Sequence, residues 1–167
     1  MRPVYPIAAG LILALASSQP AMAIQEMRLH VPVQEDVWQP AATPRGGVSW
    51  AVLEGTREIT RQDRDGYIIS RPEFTDRMRA LDGRRIKVAG WMDVFEPGRQ
   101  QTHFLLLGYP PGCPFHWHAK PTQFIEIVAA TPFPVDQNRA ITITGVLELT
   151  GEDESGIFYR LKDARPG

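Results

Sequence analysis

The stretch "RRIKVAGWMDVF", Arg84 to Phe95, decides the reading of the fold. Ile86, Val88, Met92 and Val94 recur with a period of two, so in an extended chain they share one face. Gly90 interrupts the series at its middle, and a glycine there marks a bend or bulge where a sheet turns a corner. Downstream, "EPGRQ" reads as a hairpin connection into "HFLLLGY" (His103 to Tyr109). That continuous apolar run suits a strand covered on both faces. "FIEIVA" (Phe124 to Ala129) is a further strand. "AITITGVLEL" (Ala140 to Leu149) repeats the first pattern, with Ile141, Ile143, Leu147 and Leu149 inward and Gly145 in mid-strand. "TGEDESG" is a solvated acidic turn, and "IFYRLKDA" closes the sheet. Five or six such strands predict a mainly β fold. The expected architecture is a small antiparallel barrel of the oligonucleotide/oligosaccharide-binding (OB) type with one short helix, and a sandwich is the alternative.

Upstream of the barrel the signals are weaker. "VSWAVLEG" (Val48 to Gly55) predicts a first strand, and "TREITRQDRDGY" a polar loop with a turn at Asp65-Gly66. "RPEFTDRMRAL" places Phe74, Met78 and Leu81 at helical spacing, with Pro72 early and Asp82-Gly83 as the stop. "RALDGRR" (Arg79 to Arg85) reads as a solvated helix end rather than an anion site. Residues 24–47 carry Pro32, Pro40 and Pro44 and form an irregular arm ahead of a barrel domain over 48–167.

The first residues read as an address. Arg2 supplies a positive start, "IAAGLILALA" (Ile7 to Ala16) an apolar core too short to span a bilayer, and Ala21-Met22-Ala23 a small-x-small cleavage site. Cleavage after Ala23 predicts a soluble exported protein, and Ile24 at the new terminus gives no lipid attachment point. Removing residues 1–23 of 167 leaves 144, which is one ordinary domain. Losing Arg2 leaves 17 basic against 19 acidic side chains. A chain so near neutrality has no electrostatic reason to seek nucleic acid or anionic lipid.

The most chemical stretch is "GYPPGCPFHWHAKP", Gly108 to Pro121, between two core strands. It holds the only cysteine, Cys113, which therefore has no partner for an internal disulfide. Pro110, Pro111, Pro114 and Pro121 stiffen it, which lowers the entropy cost of presenting ligands. Cys113, His116 and His118 form a C-x-x-H-x-H pattern whose thiolate and imidazoles suit zinc or copper. His103 on the preceding strand is a candidate fourth ligand, and His30 a more remote one. Two other readings stand beside the metal site. In one, His116 activates the Cys113 thiol as a nucleophile. In the other, the loop is a structural clamp in which Cys113 is a small buried hydrophobe and Phe115 and Trp117 pack on the barrel. Trp38, Trp50, Trp91 and Trp117 read as core or rim packing more readily than as a ligand platform. Glu152, Asp153 and Glu154 lack the spacing of a calcium loop.

The segments "LDGRRIKVAGWMDVF", "THFLLLGYPPGCPF", "ITITGVLEL" and "IFYRLKDA", in that order, resemble a family of exported bacterial proteins of unknown function (domain of unknown function number thirty-two ninety-nine). The resemblance spans Trp50 to Ala164 and puts Cys113 at the family cysteine. Relatives often carry a second cysteine or a histidine followed by a proline-rich run, and here His116 and His118 take those places. The resemblance implies a periplasmic protein associated with transport systems, some of them for metal supply, and no established enzyme activity. The expected function is thus a non-catalytic periplasmic accessory or binding protein handling a transition metal, zinc or copper, with an envelope transporter or periplasmic protein as partner. The alternatives are a thiol-dependent enzyme using Cys113 with His116, and a pure protein-interaction module.

Overall fold

A computed structural model describes residues 39–111 and 119–167. The expected signal peptide and most of the expected arm fall outside them. At the centre is a closed five-stranded barrel of OB-like topology. Its strands are β3 (Arg85–Val94), β4 (Gln100–Leu107), β5 (Phe124–Pro134), β6 (Ile141–Leu149) and β7 (Tyr159–Pro166). Their order around the barrel is β3-β4-β5-β7-β6. Four seams are antiparallel, and the fifth, β5 with β7, is parallel. Closure rules out the sandwich.

The period-two pattern in the sequence fills the barrel interior. Val88, Met92, Phe104, Leu106, Ile143 and Leu147 are fully buried there. Each such side chain contributes roughly 1.5–3 kcal/mol by leaving water. The two mid-strand glycines mark corners, as expected. β3 pairs with β6 through Gly90 and with β4 from Trp91 onward. At that crossing a Cβ on residue 90 would lie 2.4 Å from the Leu107 carbonyl oxygen. At Gly145 the register of β6 against β7 shifts between Thr144 and Val146.

The segment before the barrel departs from the expectations. Val48–Gly55 is not a strand: Trp50–Leu53 forms a one-turn helix, α1. Its period-two apolar pattern is real but short, and tertiary contacts override it. Val48 N donates to Lys87 O at 2.8 Å and the Trp50 indole Nε1 donates to Ala89 O at 2.7 Å, both on β3. The helical turn lets Trp50, Val52 and Leu53 all be buried at once.

The expected polar loop is instead a β-ribbon. β1 (Arg57–Gln62) pairs antiparallel with β2 (Ile68–Glu73) around the Asp65-Gly66 turn. It escapes a pattern search because Ile59 is the one apolar residue in β1. The ribbon is held by its ladder and by ion pairs, Arg57 with Glu73 and Arg61 with Glu154. The helix expected over "RPEFTDRMRAL" shrinks to α2 (Asp76–Arg79), because Pro72 belongs to β2 and Thr75 caps the helix, its hydroxyl accepting from Met78 N at 3.2 Å. Met78 is fully buried, and Phe74 and Leu81 pack against the same core. Asp82-Gly83 ends the turn with Gly83 at φ +71°.

Candidate functional site

The loop containing Cys113 joins the end of β4 to the start of β5. Cys113, His116 and His118 lie outside the described residues, as do Phe115, Trp117, Trp38 and His30. The base of the loop is described. Gly108 N donates to Gln123 O at 2.9 Å, which ties the outgoing stem to the returning one. Gly108 O accepts from Ala41 N at 2.8 Å, so the end of the N-terminal arm packs there too. The Trp50 indole packs so closely on Gly108 that a Cβ at that position would sit 2.7 Å from Trp50 Cδ2. Glycine is required here by close approach.

The returning stem is a 3₁₀ turn, Pro121–Gln123, whose Gln123 side chain works in both directions. Its Oε1 accepts from Lys120 N at 3.2 Å, and its Nε2 donates to Glu54 Oε1 at 3.1 Å. On the outgoing stem, burial and then a hydrogen bond to Glu54 push the Tyr109 phenol above its usual range. Glu54, immediately after α1, therefore holds both stems. Beneath it the Tyr159 hydroxyl donates to Leu53 O at 2.6 Å, and burial pushes its pKa far above the ordinary phenol range. The base of the loop is thus fixed to the barrel through α1.

His103, the expected fourth ligand, lies on the outward face of β4. Its Nε2 is 2.8 Å from Glu126 Oε1. A carboxylate accepts and does not donate, so Nε2 carries a proton, and in the neutral imidazole Nδ1 keeps the lone pair. Among the described residues nothing bonds Nδ1. The Phe95 ring lies against the imidazole, with centroids 4.8 Å apart. Glu126 is buried, although it is charged and faces outward between Leu105 on β4 and Arg160 on β7.

Partners compensate that burial. Arg160 Nε donates to Glu126 Oε2 at 2.6 Å and its Nη1 donates to Glu148 Oε2 at 3.1 Å. Lys162 Nζ donates to Glu148 Oε1 at 2.7 Å. The ladder His103–Glu126–Arg160–Glu148–Lys162 crosses four strands. Glu126 first, and Glu148 after it, raise the Arg160 guanidinium above its usual range. Lys162 first, and then Arg160, hold the Glu148 carboxyl below its own. Nearer the loop, Leu105, Leu107 and Phe124 form a separate buried apolar cluster with Ala119 and Ile157 against it.

Of the expected site residues, the structure places His103 on this ladder. Glu126, Arg160 and Glu148 were not expected, yet Glu126 left a trace: a carboxylate between Ile125 and Ile127 in an otherwise apolar strand. Trp50 is core, and Trp91 packs partly buried against the core. The acidic turn is divided among separate tasks. Glu154 pairs with Arg61, while Asp153 accepts from Ser155 N at 3.2 Å and is held below the usual carboxylate range by Ser155. Among the described residues no group of three or more His, Cys, Asp or Glu is arranged to hold a metal ion, and no helix is long and apolar enough to cross a membrane. Comparison with family models, curated proteins and solved structures finds no match to this chain.

Proposed function

We propose that the chain is a non-catalytic binding or accessory protein of the bacterial periplasm, exported by cleavage after Ala23. Its cargo is a transition metal, zinc or copper, handled for an envelope transport system through Cys113, His116 and His118 with His103. The observation that carries this reading is the orientation of His103. A metal-binding histidine is ordinarily fixed by a carboxylate on its other ring nitrogen. Glu126 supplies that contact at 2.8 Å, Arg160 anchors Glu126, and in the neutral imidazole Nδ1 is then the nitrogen with a lone pair for a metal. The fixed base of the Cys113 loop and its prolines support the same reading, since a preorganised loop loses little entropy on binding. The family resemblance supports export and the transport context.

The test is metal uptake by tag-free protein, with zinc and with copper. Wild type is expected to retain one equivalent that Cys113→Ala loses. Glu126→Gln should weaken uptake by about 10–100-fold, the usual effect of removing a carboxylate behind a histidine ligand. Equally poor uptake by wild type and Cys113→Ala would sink the proposal.

A further inference from the structure

The ribbon β1–β2 borders a cavity of about 540 Å³ on the side of the domain built from β2, α2 and the β6–β7 turn. The volume is in the range of small-molecule sites, roughly 300–1,000 Å³. In the ribbon register Arg57 faces Glu73 and Ile59 faces Arg71. Alternate residues of a strand share a face, so these four side chains stand together. Phe74, Pro72, Arg79 and Glu152 complete the wall.

The wall is held in place. Arg61 Nε donates to Glu154 Oε1 at 2.8 Å, Ser70 and Ser155 form a parallel bridge, and Gly151 packs so closely on Pro72 that a Cβ would lie 3.0 Å from Pro72 Cδ. Arg57 is neutralised by Glu73. The side chains of Arg71 and Arg79 have neither an ion pair nor a hydrogen bond among the described residues. Three guanidinium groups against two carboxylates leave the cavity positive in a chain of formal net charge −1. A guanidinium presents its donors in a planar fork that matches a carboxylate or phosphate. Ile59, Pro72 and Phe74 add apolar surface beside it.

We propose that this cavity is a second binding site, for a small organic anion that joins one carboxylate or phosphate group to an apolar portion. Arg71 and Arg79 hold the anionic group, and Phe74 with Ile59 contacts the remainder. The site shares no residue with the His103 ladder and stands independently of metal handling.

Titration of the full domain with benzoate, phenyl phosphate, inorganic phosphate and benzyl alcohol tests it, read by calorimetry and by NMR of Ile59, Phe74 and the arginine Nε–H groups. Benzoate or phenyl phosphate should saturate one site and shift those signals. The tighter of the two identifies the anionic group. Inorganic phosphate, lacking the apolar portion, should bind more weakly, and neutral benzyl alcohol should not bind. Arg71→Gln and Arg79→Gln should each weaken binding by about tenfold or more, the loss of a charge-assisted hydrogen bond. Both should keep the wild-type thermal midpoint and the wild-type metal uptake. Arg77→Gln, on the same helix but off the cavity wall, should bind as wild type. No saturable shift at these residues with either aromatic anion, or an Arg71→Gln/Arg79→Gln double variant that binds as wild type, would overturn the proposal.

Discussion

The outward face of β4–β5–β7–β6 and the face of the β1–β2 ribbon both carry arginines and glutamates, yet they use them differently. On the barrel, Glu126 is buried and every charge along the ladder from His103 to Lys162 has a partner. On the ribbon, Arg57 and Arg61 are paired, while the side chains of Arg71 and of Arg79 on neighbouring α2 open onto a cavity with no partner among the described residues. The difference follows from desolvation. A carboxylate taken from water must be compensated within the fold, so the barrel ladder is closed and its product is one oriented histidine. An exposed guanidinium carries no such requirement and stays available to an incoming anion.

This contrast can be broken in order of effect. The largest loss should come from Trp50→Ala, where the indole fills the core, bonds Ala89 O and covers Gly108. Urea denaturation should show about 3–5 kcal/mol of destabilisation. Next, Glu126→Ala strips Arg160 and His103 of their shared acceptor and should cost about 1.5–3 kcal/mol, the range for hydrogen bonds to charged groups. An unchanged urea midpoint would show the ladder to be as dispensable as the ribbon arginines.

A smaller effect comes from acid. Lys162 and Arg160 lower the Glu148 carboxyl on folding, and Arg165 and then Arg85 do the same for Asp163. A lowered carboxyl contributes its stability in full above its unfolded value, about 4.3 for glutamate and 3.9 for aspartate. It loses that contribution as the pH falls through the folded value. The urea midpoint should therefore drop between about pH 5 and pH 2, and Glu148→Gln should flatten part of the drop. The smallest effect belongs to the ribbon. Arg71→Gln should change stability by no more than about 0.5 kcal/mol, and a larger loss would mean that Arg71 holds the fold rather than a ligand.

The barrel strands were legible because half-buried strands write their burial into the sequence. Ile86, Val88 and Met92 alternate, Phe104 to Leu107 run together, and Gly90 and Gly145 mark the corners. The α1 turn was not legible, since Val48, Trp50 and Val52 also alternate. Only the hydrogen bonds to Lys87 and Ala89 on β3 decide against a strand. The ribbon was invisible because ladder hydrogen bonds and ion pairs, not an apolar stripe, hold β1. Of the candidate site, His103 could be singled out as a side chain with ligand chemistry, but its carboxylate could not, because Glu126 lies 23 residues away in the chain.

By itself, the sequence determined the alternation that buries one face of each barrel strand, the glycines that let the sheet turn, and the lone cysteine that excludes an internal disulfide. Those are local properties, fixed by side-chain type and spacing. The tertiary structure decided the parallel β5–β7 seam that closes the barrel, the clamp of Glu54 and Trp50 on the loop base, and which charges are paired. These depend on residues far apart in the chain, and only closure of the barrel brings them within hydrogen-bonding distance.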